Sequence, residues 1–176
     1  MPKQETKEML VEAFFSIYKE KPINRISIKN VTEKAGFHRS TFYEYYSDIY
    51  DLLEQEEEEI YRLQKDLILS PIADGKITVG SREFLTPLKE LFSLKGEKIA
   101  VLIGVNGDAA FRKKLQDRIK SAIIPALSKN PEINGEYIAE FLSSGLLSTC
   151  EMAYRNNDDI EDVLKYVYPQ ISKIFR

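Results

Sequence analysis

The 176-residue sequence is poor in the residue types on which most catalytic and metal sites depend: it has one cysteine, one histidine and no tryptophan. Because a single cysteine cannot form an internal disulfide, we interpret Cys150 as a small buried apolar residue. The only histidine, His38, is distant in sequence from Cys150, and no His and Cys spacing typical of zinc sites occurs. We therefore expect no metal ion, no cofactor and no enzyme activity.

Long hydrophobic runs are also missing. No stretch of about 18 apolar residues is present, and no basic-then-apolar leader occurs. These absences argue against a membrane partner and for a cytoplasmic location. Apolar residues make up 43% of the chain and mostly recur at helical spacing, while strand-like alternation is nearly absent. The pattern predicts an all-α globular protein.

Neither sign of charge dominates, since the formal net charge is −3. The first 50 residues carry eight basic and seven acidic side chains, and the remainder carries 17 and 21. This mild asymmetry permits a nucleic-acid partner at the N-terminal end without indicating one. The run Glu56 to Glu59 points in four directions around a helix, so we interpret it as a solvated face rather than a metal site.

The most informative pattern lies in residues 27–53, SIKNVTEKAGFHRSTFYEYYSDIYDLL. Ser27 is a suitable N-cap for a short helix, and Gly36 can end that helix in the left-handed conformation. A second short helix follows, in which Phe42 and Tyr46 share one face at i, i+4. Two short helices joined by a glycine-bearing turn predict a helix-turn-helix, whose second helix enters the DNA major groove.

Residues 35–48, AGFHRSTFYEYYSD, resemble the DNA-binding signature of TetR-type transcriptional regulators. The resemblance covers roughly residues 7–54. It implies a three-helix DNA-binding domain over 1–47 and a helical domain for effector binding and dimerisation over 48–176. The implied partners are double-stranded operator DNA, a second copy of the chain and a small-molecule effector of unknown identity.

Carried onto this sequence, the resemblance implies eight DNA-binding residues. Base edges are expected to be contacted from the second helix, where an arginine can bond guanine O6 and N7. A threonine there can meet a thymine methyl group or a phosphate, and the remaining hydroxyl and lysine groups are expected at phosphates. The expected base-edge residues are His38, Arg39 and Ser40, and the others are Thr41, Ser27, Lys29, Tyr43 and Tyr45.

The sequence departs from the TetR-type pattern at several positions. His38 stands where serine is common, and its role is open between a DNA contact and a simple cap or surface histidine. Tyr45 replaces the usual histidine, Ile49 replaces a phosphate-binding lysine, and Glu44 adds negative charge near the backbone. These changes predict modest affinity. We assign Phe42, Tyr46 and Tyr50 to core packing, whereas Tyr43 lies off the face shared by Phe42 and Tyr46 and is assigned to DNA.

Beyond the signature, the pattern predicts further helices. A fourth helix runs from Asp48 to just before Pro71, and residues 71–81 form a linker. A helix capped by Thr86 and Pro87 ends near Gly96, and a short apolar helix follows it. The remaining predicted features are a helix capped by Asp108 and ended or kinked by Pro125, a helix over 135–155, and a last apolar stripe from Ile160 through Ile174 and Phe175.

The second domain supplies candidate interface and pocket residues. Two wide apolar faces predict a homodimer through a four-helix bundle, although packing within one monomer is the alternative. The interface candidates are Phe141, Gly145, Leu146, Val163, Val167 and Ile171. Aromatic residues are the pocket candidates, with core packing as the alternative for each: Tyr61, Phe84, Phe92, Phe111 and Tyr154.

Two readings of function remain. The first is a regulator, with repression and ligand release inferred from the resemblance alone. The second is a helix-turn-helix relative that has lost DNA binding and acts as an adapter or coactivator. Ile49 and Glu44 support the second reading, and the presence of Arg39, Thr41 and Tyr43 supports the first.

Overall fold

The computed structural model describes residues 3–127 and 134–173 and over them contains helices joined by turns, with no strand, which confirms the predicted all-α class. Short 3-10 turns cover Ile23–Arg25 and Arg82–Phe84. The α-helices are α1 (Lys3–Tyr18), α2 (Ile28–Ala35), α3 (Arg39–Tyr43), α4 (Ile49–Gln64), α5 (Ser70–Ala73), α6 (Leu85–Ile103), α7 (Ala109–Leu127), α8 (Gly135–Asn156) and α9 (Ile160–Ile171).

Helix α1 packs against α2 and closes the small core of the N-terminal end. Its apolar side recurs at helical spacing, so Leu10, Phe14 and Tyr18 lie on one face and are buried. They meet Val31 of α2 and Phe42 of α3 in one cluster of buried side chains. Two short helices cannot bury a core alone, and α1 supplies the missing surface.

The helical path that begins with α4 continues past Pro71, contrary to the sequence expectation. A π-helical turn, Lys65–Leu69, joins α4 to α5, and the amide of Ser70 donates to the carbonyl of Lys65. Proline has no N–H to donate to the carbonyl four residues earlier, and its ring crowds that carbonyl. The wider π-helical turn just before Pro71 makes room for the ring, so the helix continues. The connecting segment therefore begins after Ala73.

Helix α6 is continuous through Gly96, where the sequence suggested an end. It begins at Leu85, one residue before the predicted Thr86 cap. A Cβ added at Gly96 would lie 3.6 Å from the Phe92 side chain, and the residue keeps a helical conformation. A mid-helix glycine costs only about 1 kcal/mol relative to alanine. Burial of apolar residues on both sides of it outweighs that cost.

The remaining helices follow the sequence expectation more closely. The carboxylate of Asp108 accepts a hydrogen bond from the amide of Ala110 at 2.6 Å, which confirms the predicted cap of α7. Helix α7 continues through Pro125 to Leu127. Helix α8 matches the predicted range within one residue. The apolar stripe continues through α9, but its last expected members, Ile174 and Phe175, lie outside the described residues.

One buried apolar cluster runs from α1 to α9 without a break at residue 48. Helix α8 packs against α6, α7 and α9, and α6 also touches α1 and α4. Asp48 caps α4, so the predicted division into 1–47 and 48–176 falls at a helix start. The division remains a prediction, because helix packing continues across it.

Candidate nucleic-acid interface

The turn that positions α3 is built from hydrogen bonds between near neighbours. The hydroxyl of Ser27 accepts from the amide of Asn30 at 3.2 Å, and the Asn30 side chain accepts from the Ser27 amide at 3.1 Å. Gly36 has φ +77°, and the next amide, Phe37, donates to the carbonyl of Thr32 at 2.8 Å. The predicted N-cap and glycine stop are confirmed, and together they fix where α3 begins.

Two buried aromatic rings hold α3 against the core. Phe42 is fully buried and Tyr46 nearly so, with ring centroids 5.4 Å apart. The ammonium of Lys7 lies 5.5 Å from the centroid of the Tyr46 ring. The Tyr46 hydroxyl is buried without a hydrogen-bond partner among the described residues, and burial raises its pKa. The rings therefore fix the orientation of α3 largely through apolar packing.

The opposite side of α3 is exposed. His38, Arg39, Ser40 and Tyr43 are exposed, and Thr41 is half-buried. His38 is the N-cap residue of α3, yet its side chain makes no capping hydrogen bond. Within the described chain, the side chains of His38, Arg39 and Ser40 take part in no hydrogen bond or ion pair. They are available to a partner.

The other predicted DNA contacts differ in their exposure and in the contacts that they already make. The Ser27 hydroxyl is exposed but already serves the cap of α2. The Lys29 ammonium is exposed and lies 3.6 Å from the carboxylate of Glu33. Tyr45 is half-buried, with its ring 6.4 Å from that of Tyr46. Lys29 is therefore free to reorient, whereas Tyr45 is partly committed to packing.

The start of α4 corrects one assignment. Tyr50 was expected in the core, but 59% of it is exposed, the same fraction as for Tyr43. The carboxylate of Asp48 accepts from the amides of Tyr50 and Asp51 at 2.8 and 2.9 Å, and this cap sets the phase of the helix. Ile49 then turns inward and is buried, so Tyr50 turns outward. The sequence signal was the position of Tyr50 directly after Ile49, with Leu52 next on the buried side.

The pocket candidates lie in three different places. Tyr61 and Phe111 are buried against each other, with ring centroids 5.1 Å apart. Phe84 and Phe92 border a first cavity of about 40 Å³ between α4, α6, α7 and α8. Tyr154 borders a separate crevice of about 160 Å³ with Phe92. The structure therefore brings only Phe84 and Phe92 to a common apolar cavity.

The interface candidates also divide. Phe141 and Gly145 are exposed on the outer side of α8, and Val163 of α9 is half-buried. Leu146, Val167 and Ile171 are half-buried and border a second cavity of about 50 Å³, and their place at an interface stays a prediction. The outer side of α8 also carries Tyr137 and Met152, which the sequence reasoning did not select.

Other kinds of site find no support in the described ranges. Residues 3–127 and 134–173 contain no cluster of three or more His, Cys, Asp or Glu side chains arranged to hold a metal ion. No helix within the same ranges is long and apolar enough to span a membrane. Cys150 is buried, and burial raises its thiol pKa to about 12, so it is poorly suited to be a nucleophile.

Comparison with known proteins identifies the fold. No protein-family model and no curated protein matches the sequence. Among solved structures, a TetR transcriptional regulator from Streptococcus agalactiae aligns with a TM-score of 0.60 and 24% identity over 96% of this chain and 94% of that one.

Two further structures show the same likeness. The fatty acid degradation regulator FadR from Bacillus halodurans aligns with a TM-score of 0.65 and 14% identity, over 99% and 95% of the two chains. The dihydroxyacetone kinase operon activator DhaS aligns with a TM-score of 0.54 and 15% identity, over 97% and 93%. The chain therefore has the TetR-type fold, as residues 35–48 predicted.

Proposed function

We propose that this protein is a DNA-binding transcriptional regulator that binds operator DNA through α3 as a homodimer. The observation that carries the proposal is the group of exposed side chains at the start of α3, namely His38, Arg39 and Ser40. These side chains are free of partners in the described chain, while Phe42 and Tyr46 hold the helix rigidly from behind. Polar groups held in place but left unpaired are suited to reading base edges.

Each exposed group has a role in this proposal. Arg39 donates to guanine O6 and N7, and Ser40 and His38 contact neighbouring base edges. Thr41 is half-buried and meets a thymine methyl group or a phosphate. The phosphate contacts come from Tyr43, Lys29, Ser27 and Tyr45. Tyr50 is a further candidate, because it is exposed.

The outer side of α8 supports the homodimer. Tyr137, Phe141 and Met152 are large, exposed and on the same side of the helix, and the exposed Gly145 between them allows close approach there. Large exposed apolar side chains on one face favour an interaction site. A two-fold dimer gives two copies of α3 that match two half-sites of a palindrome.

The dimer has its own test. We expect Phe141→Glu to shift the chain from dimer to monomer in sedimentation velocity. Leu94→Glu is the matched control, because Leu94 is an exposed apolar residue on a different helix, α6. Equal sedimentation of both variants as dimers would place the interface elsewhere.

The proposal includes control by a small molecule. The first and second cavities lie between the helices that connect α4 to α9, and they are lined by apolar side chains. A ligand that favours one arrangement of these helices changes the separation of the two copies of α3. In this way the ligand releases the protein, acting as a repressor, from its operator. The proposed location of the protein is the cytoplasm.

The test is a titration against the DNA upstream of its own gene, at two salt concentrations. We expect binding that weakens steeply with salt. Arg39→Ala is expected to cost about 1–3 kcal/mol of operator affinity and to leave the helical content unchanged. Arg155→Ala, which removes an exposed arginine at the end of α8, is expected to leave binding unchanged. A dimer that binds no DNA at low salt would favour the adapter reading.

A further inference from the structure

A surface groove of about 550 Å³ leads toward the two cavities. It lies between α5, the segment 75–79 and α7, and we call it the α5–α7 groove. Most of its wall is apolar, and Arg118 is the one charged residue that lines it among the described residues. Its apolar members include Leu69, Ile72, Ile77, Val79, Ala122 and Pro125.

The groove and the cavities share walls. Leu69, Ile72 and Ala122 border both the groove and the first cavity. Val79 borders both the groove and the second cavity. The cavities are small, each with room for little more than a water molecule, so an occupant lies mainly in the groove. Movement of a shared side chain such as Leu69 extends the groove into the core.

Arg118 carries a charge that no carboxylate neutralises within the described chain. Its Nε donates to the side-chain oxygen of Gln64 at 2.6 Å, and its Nη2 donates to the carbonyl of Tyr61 at 2.8 Å. Other partly buried cations differ in this respect: Lys98 pairs with Glu56 at 2.6 Å. Arg118 is thus held in place by neutral oxygens while its charge remains available to an anion.

Gln64 places a second donor group beside Arg118. It is only 2% exposed and borders the first cavity, whose wall is otherwise apolar. Its oxygen accepts from Arg118, but its amide nitrogen donates to nothing in residues 3–127 and 134–173. The amide nitrogen can therefore donate to an acceptor that a ligand brings.

We propose that the α5–α7 groove binds an amphiphile with one anionic head group and an aliphatic tail, a medium-chain monocarboxylate in its simplest form. The carboxylate accepts from Arg118 and Gln64, and the tail lies along Leu69, Ile72 and Ala122. The inference rests on the proposed function, because it names the chemical class of the effector. Cationic ligands are disfavoured by the charge of Arg118, and sugars or nucleotides would leave their polar groups unpaired on the apolar wall.

The test compares three ligands of equal length, octanoate, octanol and octylamine, by calorimetry on the full chain without DNA. We expect octanoate to bind about 10–100-fold more tightly than octanol, because a charge-assisted hydrogen bond contributes that much. Octylamine is expected to bind most weakly. Equal binding of octanoate and octanol, or no binding of any of the three, would overturn the proposal.

Variants separate the roles of charge and shape. Arg118→Gln is expected to abolish the preference for octanoate while octanol binding persists, and Arg118→Lys is expected to keep part of it. The control Lys113→Gln removes an exposed charge from the same helix and should change neither affinity. A preference that survives Arg118→Gln refutes the assigned head-group site. Should that variant not fold, the ranking of the three ligands on the natural protein still decides.

The same samples distinguish this inference from the proposed function. Octanoate binding by a protein that binds no DNA at low salt would overturn the regulator and leave the ligand class standing. DNA binding without octanoate binding would overturn the ligand class alone. Octanoate that binds and also lowers DNA affinity would support both.

Discussion

Glu57 of α4 offers a sharp test of the packing between the N-terminal helices and the body. One of its carboxylate oxygens is buried without a hydrogen-bond partner among the described residues. Burial is the main cause that raises its pKa from 4.5 to about 7, and the nearby carboxylate of Asp108 adds to the rise. Glu58 and Glu54 act in the same direction, while Lys114 opposes them. Ionised Glu57 therefore destabilises the folded state.

The magnitude follows from the displaced pKa. A change from 4.5 to about 7, at about 1.4 kcal/mol per pKa unit, corresponds to about 3.5 kcal/mol as an upper limit. The side chain keeps some contact with solvent, so we expect about 1–3 kcal/mol. The folded state holds this proton more tightly than the unfolded state. The associated stability is complete below pH 4.5 and is lost as the pH rises through about 7.

Glu57→Gln replaces the carboxyl group with a neutral group of the same shape. We expect the variant to be more stable than the natural protein by about 1–3 kcal/mol near pH 8, and by much less near pH 5. Urea unfolding followed by circular dichroism at both pH values measures the difference. Glu90→Gln, at an exposed position on α6, is the control and should show no such pH-dependent gain. A pH-independent effect of Glu57→Gln, or a loss of stability near pH 8, would refute the reasoning.

Three further substitutions test the packing by urea unfolding. Phe42→Ala should cost about 3–5 kcal/mol, because it empties a fully buried site behind α3; a loss below about 1 kcal/mol would contradict this packing. Tyr46→Phe should be neutral or stabilising by up to about 2 kcal/mol, because its hydroxyl is buried and unpaired. Lys98→Met should cost about 2–4 kcal/mol, since it leaves the carboxylate of Glu56 buried alone; adding Glu56→Gln should recover most of the loss.

The N-terminal helices were predictable because their geometry depends on near neighbours. The cap at Ser27 needs only Asn30, three residues on. The stop at Gly36 needs a residue that tolerates a positive φ, and the shared face of Phe42 and Tyr46 follows from helical spacing. Each of these features is decided within four residues, which is the range over which a sequence pattern is informative.

The body was less predictable, because distant contacts override local preferences there. Pro71 and Gly96 are weak helix formers, yet both lie inside helices in the structure. Their cost of about 1–3 kcal/mol each is smaller than the free energy gained by burying apolar residues on either side. Periodicity also does not show which half of a wide apolar stripe faces inward. Leu146 and Val167, which were assigned to an interface, are half-buried and border a cavity of about 50 Å³, and their role at an interface stays a prediction.

Sequence patterns could not predict the candidate effector site, because it depends on a contact between residues that are far apart in the chain. Gln64 and Arg118 stand on different helices, and the bond between them joins positions 54 residues apart. In the sequence, Arg118 has acidic neighbours such as Asp117, so an observer would expect its charge to be balanced. In the structure, the carboxylate of Asp117 pairs with the ammonium of Lys113 at 3.1 Å. The guanidinium of Arg118 donates to neutral oxygens instead. Whether a charge is balanced by a neighbour depends on tertiary packing, and the proposed preference of the groove for an anion rests on the absence of a carboxylate beside Arg118 in the described chain.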